Sequence, residues 1–85
     1  MRITKKMQNL RRDTTTTGSV LLLEWRFKNR YRQVDVAKLL GNPNLAPLVS
    51  QWERSLRVPS REQRAKLQNL TDGYVLGRSW KEKYV

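Results

Sequence analysis

Apolar residues recur at helical spacing in four stretches of this chain, separated by polar and turn-forming segments. Leu21, Leu22 and Trp25, with Glu24, Arg26 and Lys28 around them, predict a first core helix from about Val20 to Asn29. In "RQVDVAKLLG", Val36, Ala37 and Leu40 share one face of a second helix, and Gly41 stands where a helix C-terminus favours glycine. "NPN" is a turn by composition, and a third helix follows over roughly Leu45 to Arg54, its inner face carried by Val49 and Trp52. Ser60, with Gln63 three residues on, forms a capping-box pattern that opens a fourth helix. Leu67 and Leu70 give that helix its inward face, and Asp72-Gly73 ends it.

The two ends lack this regularity. Residues 1–19 read as a basic arm and linker, in which Ile3, Met7 and Leu10 allow one short helix. "TTTTGS" suits a linker, and either Thr17 or Ser19 is placed to cap the first core helix. Residues 74–85 read as a short extended tail, with Tyr74 to Leu76 as a strand or a segment laid over the core and Trp80 and Tyr84 as packing residues. The expected fold is all-α: a four- to five-helix domain over residues 20–73, between the arm and the tail.

Charge narrows the function classes. Eighteen Lys and Arg face seven Asp and Glu in 85 residues, a formal charge of +11. Such a field points to a polyanionic partner, with nucleic acid first and an anionic membrane surface second. The membrane reading is poor because the cations are spread over all segments, not along one amphipathic helix. No apolar run approaches a membrane span, and the N-terminus has no apolar signal core, so a cytoplasmic location is expected. Cysteine and histidine are absent, which excludes disulfides, thiolate metal sites and His-based acid–base catalysis. The acids show neither a paired-carboxylate nor a metal-ligand spacing and no phosphate-cradling Gly motif occurs, so neither an enzyme nor a cofactor or metal site is expected.

Helices two and three, joined by a turn, predict a helix-turn-helix. Ala37 is small where a crossing helix must approach closely, Val49 and Trp52 make helix three's buried side, and Ser50, Gln51 and Arg54 lie opposite. A helix divided in this way can bury one side and lay the other in the major groove.

"QVDVAKLLG" followed by "VSQWERSLRVPS" resembles the helix-turn-helix of the phage repressor/Cro class, the XRE family. The residues that carry the likeness are Gln33, Ala37, Leu40 and Gly41, then Trp52-Glu53-Arg54, Arg57 and Pro59-Ser60. It covers about residues 20–71, and the span from Trp52 to Ser60 is the specific half. The resemblance implies a transcriptional regulator that binds operator DNA as a dimer on pseudo-palindromic half-sites. It implies an ion pair between Arg26 on helix one and Glu53, with Trp52 as a core residue behind helix three. It places Gln33 on a DNA phosphate at the start of helix two, with Arg54, Arg57 and neighbouring Arg32 along the backbone. Ser50 and Gln51 become the main base-contact candidates, since Gln can make a bidentate contact to adenine.

Two departures from the family pattern matter. The span from Gly41 to Trp52 is two residues longer than usual, and the extra length must fall around Asn42, Pro43 and Asn44. Where the family carries polar readers, this chain has Ala46 and Pro47, which can meet a base only through a thymine methyl. Pro47 biases Ala46 away from helical geometry, so helix three is expected to begin at Pro47. Asn42 or Asn44 in the longer turn is then a further candidate to reach a base or a phosphate, Asn44 being the base-contact candidate. Lys5, Lys6, Arg11 and Arg12 of the arm supply binding along the minor groove or the backbone, or serve as a solubilising tail. Two surfaces are candidates for a homodimer: the end of helix four and the aromatic tail. The alternative function is a protein-interaction module on the same fold, binding RNA polymerase or another regulator through the apolar tip Ala46, Pro47 and Leu48.

Overall fold

The computed structural model describes residues 15–84. The possible arm helix around Ile3, Met7 and Leu10, and the arm cations Lys5, Lys6, Arg11 and Arg12, lie outside the described residues. Among the described residues four α-helices form: α1 (Thr17–Lys28), α2 (Gln33–Leu39), α3 (Ala46–Glu53) and α4 (Arg61–Leu70). Single 3₁₀ turns at Pro43–Leu45 and Gly77–Lys81 complete the order, and among the described residues no strand forms, only an isolated antiparallel bridge between Thr16 and Lys83.

Each helix contributes its apolar stripe to one core. Leu22 of α1, Val36 and Ala37 of α2, Val49 and Trp52 of α3 and Leu67 of α4 are all fully buried. Leu21, Trp25, Leu40 and Leu70 pack half-buried around them. Burial of a single Leu or Val side chain contributes about 1.5–3 kcal/mol, so a core this small depends on every member. α4 opens on the capping box that Ser60 and Gln63 predict: Gln63 N donates to Ser60 Oγ at 3.2 Å, and Ser60 N to Gln63 Oε1 at 2.8 Å.

The start of α1 differs from the sequence expectation. It begins at Thr17, not Val20, and its cap is Thr16, neither Thr17 nor Ser19: Thr16 Oγ1 accepts from Ser19 N at 3.2 Å. Gly18 and Ser19 are therefore part of the buried first turn.

The tail also differs. Trp80, only 2% exposed, packs into the core as expected, but the chain reaches it through the 3₁₀ turn Gly77–Lys81 and not as an extended segment. Its ring lies over Gly18, where any Cβ would stand 2.8 Å from Trp80 Cε2 and Cε3. Side chains from the end of α4 fix the path between: Thr71 Oγ1 accepts from Val75 N at 3.0 Å, and Gln68 Oε1 from Gly77 N at 2.9 Å. The last described residues return to α1, with Thr17 N donating to Glu82 O at 2.8 Å and Tyr84 N to Thr15 O at 2.9 Å. Tyr74 donates its hydroxyl to Glu24 at 3.1 Å while Lys28 Nζ sits 5.2 Å from its ring centre.

All four helices end in the same manner. The residue after the cap turns left-handed, and two backbone N–H groups reach back to carbonyls of the last turn. In α1 these are Arg30 to Phe27 and Tyr31 to Arg26, both 3.0 Å; in α2 they are Gly41 to Lys38 at 2.9 Å and Asn42 to Ala37 at 3.0 Å. The left-handed residues directly after the caps are Arg30, Gly41, Ser55 and Asp72, of which only Gly41 is a glycine; Gly73, next after Asp72, also has a positive φ.

Candidate nucleic-acid interface

The turn between α2 and α3 absorbs the extra length as helical structure. Asn42 Oδ1 accepts from Asn44 N at 2.9 Å, and this cap starts the 3₁₀ turn Pro43–Leu45 that runs directly into α3. The helix therefore begins at Ala46, one residue before the start that Pro47 predicts. Ala46 adopts φ −53°, ψ −43°, because its N–H is already held by Pro43 O across the 3₁₀ turn. Pro47 falls in the first turn, where a missing N–H costs no helical bond.

The inner side of α3 is locked at three places. Val49 and Trp52 are buried. The Glu53 carboxylate, 3% exposed, receives Arg26 Nε on Oε2 at 2.6 Å and Arg26 Nη2 on Oε1 at 2.9 Å. Gln33 Nε2 donates to the same Oε1 at 2.9 Å. Arg26 is 11% exposed, gives Nη1 to Tyr31 O at 3.1 Å, and lies 4.7 Å from the centre of the Phe27 ring. The pair is thus bidentate, with most donors and acceptors used, which is the geometry a buried ion pair requires.

A hydroxyl cluster joins the end of α3 to the start of α1. Ser19 Oγ donates to Trp52 O at 2.6 Å, Ser55 Oγ donates to Ser19 Oγ at 2.8 Å, and Thr16 N donates to Ser55 Oγ at 3.3 Å. With its proton on Trp52 O, Ser19 Oγ accepts from Thr16 Oγ1 at 2.9 Å as well. The left-handed φ of 59° at Ser55 belongs to this closure. Sequence inspection does not show it: the partners are 33 to 39 positions apart, and isolated Ser and Thr residues carry no pairing signal.

The opposite side of α3 is free. Pro47 and Arg54 are exposed, and Ser50 and Gln51 are half-exposed, which gives one stripe at positions 47, 50–51 and 54. Asn44 is exposed just ahead of the helix, and Ala46 is half-buried. The side chains of Ser50, Gln51 and Arg54 make no hydrogen bond or ion pair within the described residues. Comparison of the chain with protein-family models, curated proteins and solved structures found no match.

The four backbone-contact candidates divide. Arg54 and Arg57 are exposed and have no acidic partner among the described residues. Gln33 spends its amide on Glu53, so it acts first as a brace for α3. Arg32 is exposed but tied to Asp35, with Nε to Oδ2 at 3.1 Å and Nη2 to Oδ1 at 3.0 Å. The i, i+3 spacing of Arg32 and Asp35 was the sequence signal for that pair. The hydrogen bonds from the Arg32 guanidinium and backbone N–H hold the Asp35 carboxyl down at about 2.

The charge balance leaves the α3 end positive. Glu24, Asp35, Glu53, Glu62 and Glu82 each have a hydrogen-bond or cationic partner. Arg54, Arg57 and Arg61, from the end of α3 to the start of α4, have no acidic partner among the described residues.

Proposed function

We propose that this chain binds duplex DNA sequence-specifically and acts as a transcriptional regulator of the phage or mobile-element repressor/Cro type, in the bacterial cytoplasm at the nucleoid. α3 enters the major groove; at about 1.5 Å per residue its eight residues span about 12 Å, close to the groove width. Ser50, Gln51, Asn44 and Pro47 face base edges, and Arg54 and Arg57 meet the backbone. Arg32, once released from Asp35, and the free proton of the Gln33 amide add backbone contacts, and the arm cations add charge along the strands. The observation that carries this reading is the division of α3: Glu53 is clamped from behind by Arg26 and Gln33, while Ser50, Gln51 and Arg54 are left without internal partners. A homodimer would place two such helices on half-sites about one helical turn apart. Trp80, being buried, is not available to a second copy.

Selection of bound duplexes from a random pool tests the proposal. The expected result is an enriched motif with two-fold symmetry, and binding whose log–log salt slope is near −4 to −5 if about five phosphates are neutralised. Arg57→Ala should weaken all sites alike, whereas Gln51→Ala should alter preference at one position. A pool that returns unenriched rejects specific DNA binding.

A second reading rests on exposed apolar residues. Leu56 and Val58, 60% and 50% exposed, adjoin the end of α3, and Pro47 is exposed at its start. On that reading the domain is a protein-interaction module for RNA polymerase or another regulator, and an unenriched pool together with a stoichiometric complex with purified polymerase would favour it.

A further inference from the structure

The outward stripe of α3 is chemically one-sided. Cytosine is read through its N4 amine, which needs a side-chain acceptor such as a carboxylate. The single acid on α3 is Glu53, and both its oxygens are taken by Arg26 and Gln33 on the buried side. Guanine is read above all by Arg or Lys. The single cation at α3 is Arg54, at the C-terminal cap, beyond the last helical residue. What remains along the groove-facing stripe is a proline ring, a hydroxyl and a primary amide. Pro47 offers only apolar surface, and the thymine C5-methyl is the apolar feature of the major groove. Gln51, half-exposed with its amide unpartnered among the described residues, matches the N6/N7 pair of adenine. Ser50 is neutral, since a hydroxyl donates and accepts.

We infer that α3 reads A·T pairs, with a thymine methyl against Pro47 and an adenine opposite Gln51. This inference rests on the DNA-binding reading above and adds the base class that the same surface recognises. The two contacts lie four residues apart on the helix, about 6 Å, so they fall about two base-pair steps apart where the helix axis follows the groove. Asn44, exposed ahead of α3, extends the same amide chemistry toward a further adenine.

The test uses the full chain and the motif returned by the random-pool selection. Each thymine of the best duplex is replaced singly by deoxyuridine, which removes the methyl and keeps the pairing. One position should bind about fourfold more weakly, the effect of about one lost methyl contact. Pro47→Ser should abolish the difference between thymine and uracil there and leave it unchanged elsewhere. At a position about two steps away, changing adenine to any other base should weaken binding about five- to 150-fold. Gln51→Ala should flatten that preference. Circular dichroism of both variants should match the unsubstituted protein, since neither side chain has an internal hydrogen-bond partner.

The outcomes separate the two levels. An unenriched pool overturns DNA binding and this inference with it. An enriched motif whose Gln51-dependent position is G·C, or one in which no thymine-to-uracil change matters, overturns the inference alone and leaves specific DNA binding standing. A uracil effect that persists in Pro47→Ser assigns the methyl contact to another residue and overturns the role given to Pro47.

Discussion

Removing Arg26 should cost this domain more than any other single charge change, and the reason is asymmetric burial. Glu53 is 3% exposed and takes three donors, two from Arg26 and one from Gln33. In Arg26→Met, Oε2 loses its donor and Oε1 keeps only the Gln33 amide, so a carboxylate is left in the interior nearly bare. Breaking a buried pair this way costs about 3–5 kcal/mol. Glu53→Gln is the gentler cut: it keeps the volume, and the guanidinium left behind is 11% exposed and still bonded to Tyr31 O, so it can reach water. A loss nearer about 2–3 kcal/mol is expected there, in the range of a hydrogen bond to a charged group. An 85-residue domain has about 4–13 kcal/mol of stability in total, so Arg26→Met removes a large share of it.

The assay is urea unfolding followed by tryptophan fluorescence, since Trp52 and Trp80 are buried reporters. The double variant Arg26→Met/Glu53→Gln completes the cycle. With neither charge left in the interior it should be more stable than Arg26→Met alone, giving a coupling of about 2–3 kcal/mol. Raising salt should change these differences little, because a buried pair is screened far less than an exposed one. A cost below about 1 kcal/mol for Arg26→Met is the value of a surface pair and would refute the account of α3 as clamped through Glu53. Strict additivity in the double variant would refute it equally.

Other substitutions test the backbone of the same structure. Gly18→Ala should destabilise by about 1–3 kcal/mol in thermal melts, although alanine is normally the better helix former, because its Cβ would press into the buried Trp80 ring. Arg30→Gly should stabilise by up to about 1 kcal/mol, raising Tm by about 4–8 °C per kcal/mol, since Arg30 holds a left-handed φ of 58°. Asp35, held at about 2 by Arg32, is charged in the folded state well below the value of about 3.9 for a free Asp. Its contribution is therefore complete above about pH 4 and lost as pH falls through about 2. Carboxyl NMR should show the low midpoint, and Arg32→Ala should return it toward the free value.

The helices were legible because each buries one stripe, and a period of 3.6 survives in the sequence whatever the helix packs against. The capping box at Ser60 and Gln63 and the stop at Gly41 were legible for a related reason, since both are local and use residues enriched for that task. The other three ends were expected within a residue or two of where they fall, but not their geometry, because Arg30, Ser55 and Asp72 turn left-handed where only glycine would have announced it. The tail hid its fold for a third reason. Trp80 is held against Gly18, 62 positions earlier, and a glycine inside "TTTTGS" reads as a linker until the ring that occupies its missing side chain is known.

Legibility of the candidate site divides along the same line. The ion pair of Arg26 with Glu53 came from the family resemblance, and it is the pair the structure holds. Spacing alone would not have found it, since 27 positions separate the partners. Gln33 shows how one residue takes a second duty: expected at a phosphate, it spends its amide on the carboxylate that Arg26 holds, which ties the first turn of α2 to the last turn of α3. Any DNA contact by Gln33 would thus be coupled to the position of α3. Gln33→Ala should therefore both loosen Glu53 and weaken DNA binding, whereas Arg57→Ala should weaken binding with stability unchanged. Equal stability for both variants would show that Glu53 has no need of its third donor.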